Sequence, residues 1–308
     1  MDGSASERDQ RVRLAAFQFL AEQTQLHGEV LPRTLLATGF TLDGTRVPLI
    51  GPQGIFKPAI LPEIPLSITT VPVVEGQARP YEDGVAPGGL LLYRYRGTDP
   101  GHRDNVGLRL AMQRRMPLIY LFGVVPGQYL PVWPVYIVAD DSARLCFSAA
   151  VDDAQHAQVG IEMAEATVEA RRQYITTVTQ RRLHQESFRQ RVLQAYQTQC
   201  AMCRLRHVEL LEAAHILPDG HPKGEPIVPN GLALCTLHHA AFDRHILGVR
   251  PDLVVEVRLD ILREVDGPML KYGLQEMQDR KIVVPHTDRL RPRREFLEER
   301  FAVFRRAA

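Results

Sequence analysis

The chain has 308 residues, of which 45% are hydrophobic and 24% charged, and its formal net charge is only +1. This length and composition predict one large or two medium folded domains. No stretch of about 18 consecutive apolar residues occurs, so the sequence predicts no membrane span. The polar beginning MDGSASERDQRVR lacks the apolar core of a signal peptide. We therefore expect a cytoplasmic protein.

The first half of the chain is predicted to be rich in β-strands. Apolar residues at helical spacing between 9 and 26 predict an opening amphipathic helix. From 30 to 75, short β-rich runs alternate with Gly and Pro, and LDGT predicts a tight hairpin. A short helix is expected in DNVGLRLAMQRR, and further strands are expected at 89–96, 117–125, 132–140 and 143–151. Residues 1–155 should thus form a strongly curved sheet or barrel that buries Cys146.

The next segment, 156–184, is predicted to be a helical connector because it contains no proline. The β-branched run at 175–179 is a candidate break in that helix. Between 171 and 191, six arginines accompany a single acid, Glu186, which gives a local net charge of about +5. Taken alone, such a run is most simply a solvated helix face.

Three of the four cysteines and one histidine form a zinc-binding pattern. A C-x-x-C pair is followed by C-x-x-H, and the four candidate ligands are Cys200, Cys203, Cys235 and His238. This is the ligand set of a closed tetrahedral zinc site, in which the ion stabilises a loop too short to form its own core. The alternative, four unrelated buried residues, leaves the clustering of three cysteines unexplained. Zinc of this kind is structural and does not by itself indicate an enzyme.

Around this pattern the chain resembles the HNH endonucleases, the zinc-stapled ββα-metal nucleases. The resemblance is carried by FRQRVLQAYQTQCAMC, EAAHILP and PNGLALCTLHHAAFDRHILGV, in the family's order and spacing. It implies a nuclease domain over residues 185–308. It also implies that His215 is the general base, that Asn230 orients this base and its loop, and that His239 binds a catalytic divalent metal such as Mg²⁺ or Mn²⁺.

Physical reasoning supports these roles. Hydrolysis of a phosphodiester needs a base with a pKa near neutrality and a cation that offsets the developing negative charge. His239 and Asp243 are four residues apart on a predicted helix, so they share a face and can hold one metal. The alternative for Asp243 is a cap or an ion pair with Arg244. Many family members carry a metal ligand immediately before the base, where this chain has Ala214.

Other polar residues nearby are interpreted as less important. Glu212 is expected on the opposite face of its strand from His215, which makes it a weaker candidate ligand. The final helix mixes apolar and basic residues such as Phe296, Arg300 and Phe301, and we expect it to pack rather than to form a site. Three histidines are expected to be solvent-exposed: His207, His221 and His245.

The region before the connector resembles the SRA (or YDG) domain of modification-dependent restriction enzymes. The resemblance is carried by a Tyr-Glu-Asp-Gly turn at 81–84, a strand with alternating Tyr and Arg, and a polar loop that leads to Asp-Asn. It implies that a modified base flips into a pocket where it is stacked and read. The predicted pocket residues are Tyr93, Tyr95, Asp104 and Asn105, and the predicted phosphate contacts are Arg94, Arg96, Arg103, Arg181 and Arg182. The alternative for the tyrosines is ordinary packing inside the barrel.

The sequence as a whole predicts an α+β chain, in which an SRA/PUA-like curved sheet or barrel reads double-stranded DNA and an HNH domain with structural zinc cuts it. The modified base is expected to be a modified cytosine. Cutting both strands with one site per chain favours a homodimer, although two successive nicks would also serve. One alternative is an HNH nuclease directed by unmodified sequence, DNA structure or another modification. The other is a catalytically silent zinc-knuckle DNA-binding protein.

Overall fold

The structure, a computed structural model, describes residues 3–72, 90–151 and 168–307. It divides into two units, Met1–Leu183 and His184–Ala308. The predicted turn at 81–84 and the first part of the predicted connector, 156–167, lie outside the described residues.

The described residues of the first unit form three helices and nine strands before the long helix that follows them. Its helices are α1 (Gly3–His27), α2 (Arg33–Thr38) and α3 (Arg103–Gln113). Its strands are β1 (Leu31–Pro32), β2 (Phe40–Leu42), β3 (Thr45–Val47), β4 (Ile55–Phe56), β5 (Ser67–Thr69), β6 (Leu91–Arg94), β7 (Leu118–Val125), β8 (Gln128–Asp141) and β9 (Cys146–Val151). The predicted LDGT hairpin joins β2 and β3, and Asp43 and Gly44 both have positive φ, as a tight hairpin turn requires.

Seven strands of this unit form one curled, half-barrel sheet in the order β4-β5-β7-β8-β9-β6, with β1 paired to β8. The long strand β8 pairs with β7 through residues 128–135 and with β9 through residues 135–141. Register shifts interrupt both pairings, and such irregularities bend a strand and increase its twist. The expected α+β class and curved sheet are therefore confirmed.

Apolar packing covers both faces of the sheet. Along β7, Leu118 and Tyr120 belong to one core cluster, whereas Ile119 and Leu121 belong to a second cluster that also contains Leu20 of α1. Since side chains alternate between the two faces of a strand, β7 is buried along its whole length and reads as a continuous apolar run.

One buried arginine connects α1 to the loops that precede β5 and β7. Arg13 is 2% exposed, and its Nε donates to Asp9 Oδ1 at 2.5 Å. Its Nη1 donates to the carbonyl oxygens of Pro65 at 3.0 Å and Pro117 at 2.8 Å. The buried charge is thus paired and hydrogen-bonded, as burial of an ion requires.

Helix α4 (Val168–Ala195) begins in the first unit and ends in the second. The candidate break at 175–179 is wrong, because the helix is continuous there. Three side chains of this run, Ile175, Thr176 and Thr179, are buried, and Thr176 Oγ1 accepts a hydrogen bond from Val151 N at 3.0 Å. Tertiary packing therefore outweighs the weak helix propensity of β-branched residues.

The second unit contains the end of α4, four short strands and four further helices. The strands are β10 (Leu211–His215), β11 (Gly231–Cys235), β12 (Leu247–Val249) and β13 (Val255–Val257), and the helices are α5 (Thr236–Asp243), α6 (Leu259–Arg263), α7 (Pro268–Gly273) and α8 (Arg294–Ala307). Strands β10 and β11 pair antiparallel, as do β12 and β13. None of the helices in the described ranges has the length and hydropathy of a membrane span.

We predict that Arg13→Ala lowers the free energy of unfolding of the first unit by about 3–5 kcal/mol, because it leaves the buried Asp9 carboxylate without its partner. Urea unfolding followed by fluorescence measures this, since the only tryptophan, Trp133, lies in this unit. The control is Arg11→Ala. Arg11 pairs with Asp43, but the two side chains are 60% and 67% exposed, so the expected loss is at most about 1 kcal/mol. Equal midpoint shifts for the two variants would contradict the role given to Arg13.

Candidate active site and metal centre

The four predicted zinc ligands converge in the second unit. The ligand atoms of Cys200, Cys203, Cys235 and His238 all lie within 4.8 Å of one another. His238 Nδ1 is 3.4 Å from Cys200 Sγ and 3.2 Å from Cys235 Sγ, and the Cys203 and Cys235 sulfurs are 3.9 Å apart. Tetrahedral zinc with Zn–S bonds of about 2.3 Å and Zn–N bonds of about 2.0 Å places neighbouring ligand atoms about 3.5–3.8 Å apart. The cluster therefore has the chemistry and spacing to hold zinc.

A hydrogen bond on the far side of the His238 ring orients it toward the sulfurs. His238 Nε2 lies 2.8 Å from the carbonyl oxygen of Gly273, at the end of α7, so Nε2 carries the proton and donates. Nδ1 is then the unprotonated nitrogen that a metal needs, and it faces the cluster. Such outer partners fix the tautomer and orientation of metal-binding histidines.

The hairpin β10–β11 followed directly by α5 gives the ββα arrangement on which the site is built. His215, the last residue of β10, pairs with Gly231, the first residue of β11. The His215 ring stacks on Phe188 of α4 with ring centroids 4.1 Å apart. A Cβ atom on Gly231 would come within 2.5 Å of Val192 and 3.0 Å of Phe188. Glycine therefore allows α4 to pack closely against the hairpin.

The surroundings of His215 keep its imidazole neutral. Burial is the main effect that lowers its pKa, and the charge of His239 lowers it further, whereas Asp219 and Asp243 act in the opposite direction. Its Nε2 is buried and has no hydrogen-bond partner among the described residues. A neutral imidazole with an uncommitted nitrogen is a proton acceptor, which is what a general base requires.

Asn230 closes the loop between the two strands. It is fully buried, and its Oδ1 accepts from Leu217 N at 2.9 Å. Its Nδ2 donates to the carbonyl oxygens of Leu217 at 3.0 Å and Glu225 at 3.1 Å. These bonds fix the backbone that follows His215, so Asn230 acts on the loop and not on reacting atoms.

Two carboxylates flank His239 on α5. Its Nδ1 lies 2.5 Å from Glu212 Oε2, and its Nε2 lies 3.3 Å from Asp243 Oδ2. The hydrogen bond to Asp243 has the largest effect in raising the pKa of His239, and the hydrogen bond to Glu212 raises it further. His239 in turn lowers the pKa of Asp243. This negative field favours a cation at the same place. Octahedral Mg²⁺ with bonds of about 2.1 Å separates neighbouring ligands by about 3.0 Å, so Nε2 and Oδ2 are suitably spaced to share one ion.

Glu212, expected to be a weaker candidate ligand, has its Oε2 2.5 Å from His239 Nδ1. Strict alternation places it on the opposite face of β10 from His215, yet both side chains are half-buried, whereas Leu211 and Ala214 are buried. Two-stranded ribbons twist more than larger sheets, so alternation blurs along them. The long Glu212 side chain thus reaches the ring of His239, whereas the buried Ala214 offers no side-chain ligand atom.

The final helix also contributes to the site, contrary to the expectation that it only packs. Arg300 lies over the ring of Phe242 at 4.6 Å and donates from Nη2 to the Phe242 carbonyl oxygen at 2.9 Å. The same guanidinium is 3.7 Å from Asp243 Oδ1. Asp243 thus has one oxygen toward His239 and the other toward Arg300. The alternative role considered for Asp243, an ion pair with Arg244, does not occur among the described ion pairs.

The three histidines expected in solvent differ from one another. His207 is exposed, as expected. His221 instead pairs with Glu299 at 2.9 Å. His245 is half-buried, has a positive φ, and its buried Nδ1 has no hydrogen-bond partner in the described part of the chain.

The structure places the predicted base-stacking tyrosines in the core of the first unit. Tyr93 and Tyr95 are 6% and 3% exposed. Tyr95 stacks on Phe147 with centroids 4.6 Å apart, and its hydroxyl is bonded to Asp140 and Arg109. Packing inside the curled sheet, the alternative interpretation, therefore accounts for both, and we correct their assignment to base stacking.

The predicted polar pocket residues also have internal partners. Asn105 is fully buried, accepts from Arg96 N at 2.9 Å, and donates to the carbonyl oxygens of Arg96 and Asp99. Asp104 forms an ion pair with Arg96 and lies 3.5 Å from Arg103. Asn105 thus closes its own loop instead of reading a base, and Asp104 offsets the charge that Arg96 was expected to offer to a phosphate.

The remaining predicted phosphate contacts are more accessible. Arg94, Arg103 and Arg181 are exposed. Arg94 donates to the carbonyl oxygen of Arg144, and Arg182 pairs with Glu29. Arg181, which is exposed and has no ion pair among the described residues, is consequently the member of the set best placed to meet a phosphate.

Comparison with known proteins defines the class of the site. Residues 200–250 match the family model of the HNH endonucleases, so this segment is an HNH endonuclease domain and the resemblance to that family is confirmed there. None of the curated proteins compared with the chain matches it. Among solved structures, the modification-dependent TagI restriction endonuclease aligns over 78% of this chain and 82% of its own, at 15% identity and a TM-score of 0.30.

We predict that the purified protein holds about one tightly bound zinc ion per chain, as four convergent ligands require. Cys203→Ser should lose the zinc and unfold the second unit, because the binding free energy of the ion is also folding free energy. The measurements are metal analysis and the helical signal in circular dichroism. The control is Cys146→Ser, which alters a cysteine of the first unit outside the cluster and should leave zinc unchanged. A zinc-free Cys203→Ser protein with a native spectrum would refute the structural role.

Proposed function

We propose that the protein is a metal-dependent endonuclease that hydrolyses duplex DNA carrying a modified base. The observation that carries the nuclease activity is the pairing of two features on the ββα unit of the HNH domain. One is the neutral His215 ring with an uncommitted nitrogen, and the other is the His239–Asp243 pair at 3.3 Å. A zinc knuckle that only binds DNA would need neither.

In this proposal His215 removes the proton from the attacking water. Its burial suits that task because it disfavours the protonated ring. Stacking on Phe188 fixes the plane of the ring, and Asn230 fixes the loop that follows it. The base is therefore oriented before substrate arrives, which reduces the entropic cost of reaching the reactive geometry.

The catalytic divalent metal would be held by His239 and Asp243. When bound, it would neutralise charge on the phosphoryl group and leaving oxygen. Glu212 accepts from Nδ1–H of His239 and so presents Nε2 as the ligand atom, the arrangement seen for many metal-binding histidines. Arg300 holds the second oxygen of Asp243 and directs the first toward His239.

The choice of DNA is assigned to the first unit, with a modified cytosine as the preferred feature. This part of the proposal is supported by the SRA-like sequence between 79 and 124 and by the curled sheet, a shape suited to enclosing a flipped base. Since Tyr93 and Tyr95 belong to the core, the reading contacts are expected from other residues. HNH domains bind mainly the DNA backbone, so a separate reader is needed for selectivity.

We predict that His215→Ala abolishes plasmid nicking at every metal concentration while DNA binding and zinc content remain, because the base is lost and the fold is kept. Asp243→Ala should instead shift activity to higher Mg²⁺ or Mn²⁺, because one ligand is lost and His239 remains. The measurement is nicking of supercoiled plasmid across a metal titration, with exposed His207→Ala as the control. Normal nicking by His215→Ala would refute the assigned base, and an unshifted metal titration of Asp243→Ala would refute that ligand.

For the reader, we predict tighter binding to duplexes with 5-methylcytosine or 5-hydroxymethylcytosine than to a matched unmodified duplex. The cost of extruding a base is recovered only if the pocket stacks and hydrogen-bonds it. The measurement is equilibrium binding by the uncleaving His215→Ala full chain. Equal affinity for the three duplexes would remove the modified-cytosine specificity and leave the nuclease assignment untouched.

A further inference from the structure

A cavity of about 290 Å³ lies beside the zinc cluster, separate from His215 and His239. Its wall includes Tyr196, Gln199, Arg204, Arg206, Val283 and His286. No acidic residue contributes to this wall. Its volume is at the lower end of the range of about 300–1,000 Å³ that ligand pockets occupy.

The two arginines of this cavity differ from most others in the unit. Arg204 and Arg206 are exposed, and neither forms an ion pair within the described ranges of the chain. By contrast, Arg250 pairs with Asp252 at 2.7 Å, and Arg258 pairs with Asp260 at 2.7 Å. Both guanidinium groups of the cavity therefore keep their donors available to an anion.

The zinc knuckle builds both sides of the cavity. On one side, Cys200 N donates to Leu205 O at 2.9 Å and Arg204 N donates to Cys200 O at 3.0 Å, which fixes the turn that carries the arginines. On the other side, Val283 N donates to Ala201 O at 2.8 Å. The walls are thus attached to the same short turn, so the cavity is pre-formed.

Arg204 occupies its position at a conformational cost. Its φ is +64°, a left-handed conformation that glycine adopts freely and arginine does not. Glycine would adopt this turn without that cost, so replacing Arg204 by glycine removes the guanidinium and keeps the turn. Strained residues of this kind concentrate at functional sites.

We infer that this cavity binds a phosphate of the DNA backbone, and that the substrate duplex extends from the catalytic site across the zinc knuckle. The inference rests on the proposed function, which makes DNA the ligand. Guanidinium groups recognise phosphate oxygens with paired hydrogen bonds, and the glutamine amide adds a neutral donor. The contact is to the backbone, so it strengthens binding to every duplex and does not select a base.

The test measures DNA affinity against salt concentration for the full chain carrying His215→Ala, which binds without cutting. Adding Arg206→Ala or Arg204→Gly should each lower affinity equally for modified and unmodified duplexes. Each should also reduce the slope of log affinity against log salt by about 0.9, the value for one lost phosphate contact. Arg250→Ala, which removes an arginine already paired with an acid, should leave the slope unchanged.

Arg204→Gly separates loss of contact from loss of fold. Glycine accepts the left-handed turn, so this variant should melt at the same or a higher temperature and retain its zinc while binding DNA more weakly. Slopes for both variants equal to that of the parent would overturn the cavity assignment and leave the nuclease intact. Inorganic phosphate that saturates the cavity and leaves DNA affinity unchanged would overturn the backbone assignment in favour of a free anion. A parent protein that binds no DNA would overturn the proposed function together with this inference.

Discussion

Convergence of three sulfurs and one ring nitrogen is the constraint on which the second unit depends. Cys200 and Cys203 lie in the turn after α4, Cys235 ends β11, and His238 lies on α5 and reaches α7 through its other nitrogen. One ion at this point would join a turn, a hairpin and two helices, and would add its binding free energy to that of the apolar core that these elements share. Because His215 and His239 belong to that hairpin and helix, the relative placement of base and metal ligand follows from the cluster.

The side chains of the proposed catalytic site divide into a rigid part and an open part. Phe188 and the buried Asn230 fix the base and its loop, so their geometry does not depend on substrate. On the other side, Asp243 and Glu212 are 55% and 47% exposed. A fixed base facing accessible carboxylates suits a reaction in which a hydrated metal and a large polyanion must both enter from solvent.

Patterns that depend on neighbours in sequence were predictable, whereas contacts set by twist or by distant elements were not. The Cys and His spacing identified the metal cluster, and the i, i+4 spacing placed His239 beside Asp243. Alternation along the strand placed Tyr93 and Tyr95 on one face and the neighbouring arginines on the other. It did not show which of the two faces points into the core. The same rule did not predict that Glu212 contacts His239, because that contact depends on how α5 packs against the hairpin. No pattern in the sequence around Arg300 predicts its contact with Asp243, because that contact depends on how α8 packs.

The contact of Arg300 with Asp243 also bears on how the HNH domain can be separated from the rest of the chain. The matched family segment ends at residue 250, but α8 lies more than forty residues further along the chain and is anchored on β12, where Gly248 faces the ring of Phe304. The segment that carries the family pattern is consequently not a self-sufficient cassette. A transplanted segment that ended at residue 250 would carry the proposed base and metal ligands. It would lose Arg300, whose guanidinium lies beside the Asp243 carboxylate.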